Sequence, residues 1–156
     1  MHDTPPALER WFEDYPEGAV FDIGQIAVEE QEVLEFARRF DPQPFHTDPV
    51  AAAASHFGGL VASGWHTASL MMRLLATSFL SPVSSLGSPG VDELRWLLPV
   101  RPGDLLQGRV SVLSARRSAS KPDRGLIESR IEMLNQHGEV VFSTRAVSLL
   151  RCRAPA

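Results

Sequence analysis

Cysteine, lysine and long apolar runs are nearly missing from this sequence of 156 residues, and each absence removes a class of protein. Cys152 is the only cysteine and stands close to the C-terminus, which excludes an internal disulfide and a thiolate metal cluster. Lys121 is the only lysine, and the formal net charge of -4 offers no basic face for nucleic acid. No apolar stretch approaches the roughly 20 residues a membrane-spanning helix needs. The opening run, MHDTPPALERWFEDYPEGAV, carries acids where a signal peptide carries basic residues, and no apolar segment follows it, so the expected location is cytoplasmic. Gly87, Gly90 and Gly103 do not stand between a strand and a helix as a phosphate-binding loop requires, and no cofactor or metal is expected.

What remains has the size of one domain, residues 1–156, with 1–19 as an extended lead-in. VFDIGQIAV reads as a first strand. From Glu29 to Phe40 the apolar positions Val33, Phe36, Ala37 and Phe40 fall at helical spacing, with acids in the first turn and Arg38 and Arg39 in the last. Asp48 followed by Pro49 signals the start of an alanine-rich helix that ends by Gly58 and Gly59. Residues Trp65 to Leu80 are apolar on nearly every face, which predicts a buried central helix with Trp65, Met71 and Met72 in the core or shaping a pocket, roles the sequence does not divide. After the loop SPVSSLGSPG, four segments read as strands, and in LIESRIEML the alternation of Ile127, Ile131 and Met133 with Glu128, Arg130 and Glu132 marks a sheet with one wet face. The order predicts an α+β domain in which an antiparallel sheet curls around one long helix.

The chemistry concentrates in FDPQPFHTDP. Asp41 and His46 are five residues apart, which neither a continuous helix nor a strand would bring together. A bend stiffened by Pro42 and Pro44 would do so, and a fixed carboxylate and imidazole can hold a water and move its proton. Spacing alone also fits a helix-terminating loop whose acid caps a backbone amide.

The longer run DPQPFHTDPVAAAASHFGGLVASGWHTASL, with PVRPGDLLQGRVSVL after it, resembles the MaoC-like dehydratase family, which includes the (R)-specific enoyl-CoA hydratases. The resemblance spans roughly residues 20–150 and implies the hotdog fold. It implies that Asp41 and His46 are the catalytic acid and histidine, and that the backbone N–H of Gly64 faces a thioester oxygen. It also implies a homodimer or higher homo-oligomer, with coenzyme A present only as part of an acyl-CoA substrate. Gln43 stands where the family pattern has Asn, keeping the amide on a longer arm, and Ser63 stands where some relatives have histidine. Gln43 and Ser63 are supporting residues, Ser63 as a helix cap.

The expected activity is reversible hydration of a trans-2-enoyl-CoA to a 3-hydroxyacyl-CoA, with R stereochemistry implied by the resemblance. A thioesterase on the same fold and a non-catalytic acyl-thioester-binding subunit are the alternatives. Asp48 reads as a cap rather than a second acid, His56 as a partly buried polar residue and His66 as a satisfied core histidine. Arg95, Arg101, Arg116, Arg117 and Arg124 are candidates for the coenzyme phosphates.

Overall fold

A computed structural model describes residues 4–154. The lead-in is not extended: it forms two 3-10 turns, Ala7–Glu9 and Phe12–Asp14. Tyr15 behind them is wholly buried, and its hydroxyl donates to the Phe79 carbonyl at 2.5 Å. Burial pushes the Tyr15 phenol up to about 12, the nearby Arg10 only partly offsetting it.

The strands fall where the alternation places them: β1 (Val20–Ala27), β2 (Val91–Trp96), β3 (Leu105–Arg117), β4 (Arg124–Leu134) and β5 (Val140–Arg151). They pair antiparallel in the order β1-β3-β4-β5-β2. In β4, Ile127, Ile131 and Met133 are buried while Arg130 is exposed, as a one-sided sheet requires. Gly138 has φ +76 in the turn before β5, a conformation only glycine adopts cheaply.

Four helices follow β1 in the chain: α1 (Glu30–Phe40), α2 (Pro44–Thr47), α3 (Pro49–Ala54) and α4 (Gly64–Ser78). Asp48 caps α3 by accepting from the N–H groups of Val50 and Ala51. The long helix α4 lies on the inner face of the sheet with Leu70, Met71, Leu74 and Leu75 in the core. Close approach is possible because position 108 is glycine: a Cβ there would lie 2.5 Å from Ile23 and 3.1 Å from Leu74. No helix among the described residues is long and apolar enough to cross a membrane.

The central helix differs from expectation in one respect. It is not buried all round: Trp65 is 58% exposed and Met72 44%, whereas Thr67, a polar break in the sequence pattern, is buried. Phe40 is exposed too, packed on Phe36 and under the Arg39 guanidinium rather than in the core. Apolar character alone does not say which face of a helix meets its own sheet, and here one stripe of α4 turns away from it.

Candidate active site

The site begins where α1 ends. Asp41 follows the last helical residue, its N–H still bonded to the Ala37 carbonyl, and Pro42 prevents another turn. The bend beyond it is tighter than a loop: Pro44 starts the single helical turn of α2, and His46 sits within that turn. This turn brings His46 Nε2 to 3.3 Å from Asp41 Oδ2.

Both side chains are fixed from outside the pair. His46 Nδ1 lies 2.7 Å from the carbonyl oxygen of Val61. A carbonyl only accepts, so Nδ1 carries the hydrogen and Nε2 is the nitrogen turned toward Asp41. Val61 can serve because its segment is itself pinned: Val61 N–H donates to the Phe45 carbonyl and Ala62 N–H to that of Val100. Asp41 is held at each oxygen, by the Gln43 amide on Oδ1 at 2.8 Å and the Ser63 hydroxyl on Oδ2 at 2.7 Å. The longer arm of Gln43 therefore still reaches the acid.

Ser63 makes two bonds through one oxygen. It caps α4 by accepting the Trp65 N–H at 3.3 Å, and it spends its hydrogen on Asp41. The cap follows from sequence, but the bond to an acid 22 residues away does not. Burial alone would raise the Asp41 pKa, yet the Ser63 and Gln43 hydrogen bonds and the charge of His46 outweigh it and leave the carboxyl below its ordinary value.

Gly64 follows as the first residue of α4, where an N–H has no partner one turn earlier in its own helix. Asp41, Gln43, His46 and Gly64 all line one cavity of about 430 Å³, with Phe45, Phe57, Val61, Ala62, Trp65, Thr67 and residues 96–100 completing its wall. Carboxylate, imidazole and helix N-terminus thus face a mostly apolar space, the setting in which a developing negative charge is best stabilised by fixed dipoles.

The family model of the MaoC-like domain matches residues 14–128. The chain belongs to the MaoC-like family. A MaoC-like dehydratase from Rhodospirillum rubrum superposes with a TM-score of 0.85 at 43% identity, over 93% of this chain and 99% of that one. The (R)-hydratase from A. caviae involved in PHA biosynthesis is 26% identical, with a TM-score of 0.69 over 85% of this chain and 94% of that one. The fold is the hotdog, shared also with a double-hotdog protein from Mycobacterium tuberculosis at 18% identity and a TM-score of 0.75, covering 94% of this chain and 46% of that one. At family level the chain therefore stands among hydratases and dehydratases.

Several residues weighed in the sequence lie elsewhere. His56 is exposed and packs against Phe57. His66 is 2% exposed and pairs with Glu32 at 3.0 Å while its Nδ1 has no partner among the described residues, so it is only half satisfied there, and it faces a separate hollow between α1, α4 and β1. Arg101 donates to the Phe57 carbonyl, Arg117 pairs with Glu13 and Arg124 with Asp123, so these three guanidinium groups are engaged within the chain.

Sequence reasoning missed Trp96. Its indole N–H donates to the Gly64 carbonyl at 2.8 Å, and its ring packs edge-to-face on Trp65. The only available signal was a tryptophan within the apolar run LRWLLPV at the end of a strand.

Proposed function

We propose that this protein hydrates a trans-2-enoyl-CoA reversibly to a 3-hydroxyacyl-CoA, the R product following from family resemblance. The observation that carries the reading is the tethered pair: His46 Nε2 directed at an Asp41 carboxylate, beside the N–H of Gly64 at the start of α4 in one mostly apolar cavity. Water lying beside Asp41 and Nε2 and hydrogen-bonded to both gives a proton to the pair as its oxygen bonds to C3. The C2=C3 electrons move toward the thioester, whose oxygen takes up the negative charge against the Gly64 N–H and the α4 dipole. The enolate collapses as the pair returns a proton to C2, which restores the starting protonation state. Atoms and charge balance without a further reactant, and no cofactor is required.

The test follows loss of enoyl absorbance and appearance of free thiol in parallel with crotonyl-CoA and a longer trans-2-enoyl-CoA. Enoyl loss without thiol is expected. Thiol release would make the protein a thioesterase, and acyl-CoA binding with neither change would make it a non-catalytic binder.

The Ser63 bond predicts a pH effect. Ser63→Ala removes a donor that favours the carboxylate, so the Asp41 pKa, lowered in the wild type, rises, and the midpoint of the Asp41 carboxyl-carbon resonance followed against pH moves upward. An unmoved midpoint would reduce Ser63 to a helix cap.

A homodimer is part of the same proposal. β2 lies at one edge of the sheet, and beside it Val91, Trp96, Leu97 and Leu98 are exposed together with Trp65 and Met72 of α4. An open strand edge flanked by apolar side chains favours a second copy. The opposite edge, β1, is interrupted by a register shift between Asp22 and Gly24, which discourages pairing there. Sedimentation is expected to give twice the chain mass of 17.2 kDa. A concentration-independent monomer would contradict it.

A further inference from the structure

Gly64 is glycine for a reason separate from its N–H. A Cβ at this position would lie 2.5 Å from the indole nitrogen of Trp96, so the bare Cα is what lets the ring rest on the first turn of α4. The ring cannot swing away freely. Its N–H is bonded to the Gly64 carbonyl, its edge meets Trp65 with centroids 5.1 Å apart, and its backbone is paired with Phe142 in β5. His46, which lines the same cavity, is equally fixed, by Val61 and by an edge-to-face contact with Phe45, which packs in turn on Phe57. The acyl group therefore enters a slot lined by both sets of aromatic rings.

The chemistry sets which carbon meets which ring. With the thioester oxygen at the Gly64 N–H and C3 at the water that Asp41 and His46 hold, C2 is the atom in between, one bond from the carbonyl carbon. The bulky group lying against Gly64 is Trp96. We infer that Trp96 is a specificity-determining residue that excludes substituents on C2, making the preferred substrates acyl thioesters unbranched at that carbon. The inference rests on the functional reading above and deepens it.

Discrimination by one methyl-sized group in an apolar pocket is typically about 10–200-fold. Wild-type kcat/KM for crotonyl-CoA is therefore expected to exceed that for its 2-methyl homologue, tiglyl-CoA, and Trp96→Ala to reduce the ratio at least tenfold. Trp96→Leu, which keeps an apolar side chain but removes the ring, carries the same test if the alanine variant does not fold. Trp96→Phe retains a ring and loses the indole N–H, so the preference should largely persist while turnover falls as the Gly64 end loosens. Equal turnover of both substrates by the wild type, or an unchanged ratio in folded Trp96→Ala and Trp96→Leu, overturns the inference.

Calorimetric binding of butyryl-CoA and 2-methylbutyryl-CoA, which differ only by a methyl group on C2 and need no turnover, separates its failure from that of the function. Preferential binding of butyryl-CoA that is lost in Trp96→Ala upholds the slot even if no hydration occurs. Hydration of crotonyl-CoA without any effect of Trp96 on selectivity overturns the slot alone. Failure to bind either thioester, together with no hydration of crotonyl-CoA, overturns both.

Discussion

His46→Gln and Asp41→Asn each lower kcat/KM for enoyl-CoA hydration by about 10²–10⁴-fold, the range for a positioned acid/base group, while the folded chain persists. Glutamine at 46 retains an amide able to donate to Val61 but offers no basic nitrogen to the water. Asparagine at 41 keeps one oxygen for Ser63 or Gln43 and loses the charge that both hydrogen bonds stabilise. Because the two groups hold and deprotonate one water, their losses do not add: the double variant should be close to the worse single variant. Kinetics on the four proteins, with circular dichroism to establish folding, checks this. Near-wild-type turnover in either folded single variant would remove that residue from the site.

Gly64→Pro loses a further 10²–10³-fold or so relative to Gly64→Ala, the usual cost of one oxyanion donor. The comparison is needed because any Cβ at position 64 displaces Trp96, and both variants share that steric cost. Only proline also removes the N–H. It is otherwise suited to the first position of a helix, and Ser63, at φ -53 and ψ 138, already has the backbone conformation a following proline prefers. The deficit should lie in kcat more than in KM, since the oxygen carries its charge in the transition state and not in the bound ester. Equal activity of the two variants would mean that the Gly64 N–H does not meet the reacting oxygen.

The sequence makes legible whatever depends on local spacing. The alternation in β4, the Asp48-Pro49 start of α3 and the proline stop after Asp41 each follow from near neighbours, and the structure has them at those residues. The Asp41 and His46 pair is legible as a bend, though not as the helical turn that makes it. Contacts between distant segments are not legible. The Ser63 bond to Asp41 joins residues 22 apart, the Val61 carbonyl that fixes the His46 tautomer has no side-chain signature, and Trp96 meets Gly64 across 32 residues. The exposed stripe of α4 is hidden for another reason: Trp65 and Met72 are as apolar as core residues, and composition does not distinguish a face turned to the chain's own sheet from one turned away.

The most direct test of the central claim is to incubate crotonyl-CoA with the protein in deuterium oxide and follow the carbon-bound hydrogens of the product by nuclear magnetic resonance, with Asp41→Asn alongside. If Asp41 and His46 add water across C2=C3, the product is 3-hydroxybutyryl-CoA with one deuterium at C2, formed stereospecifically, and the variant yields almost none at equal time. Free crotonate and coenzyme A, or an unlabelled and unchanged thioester in the wild-type reaction, would contradict the account.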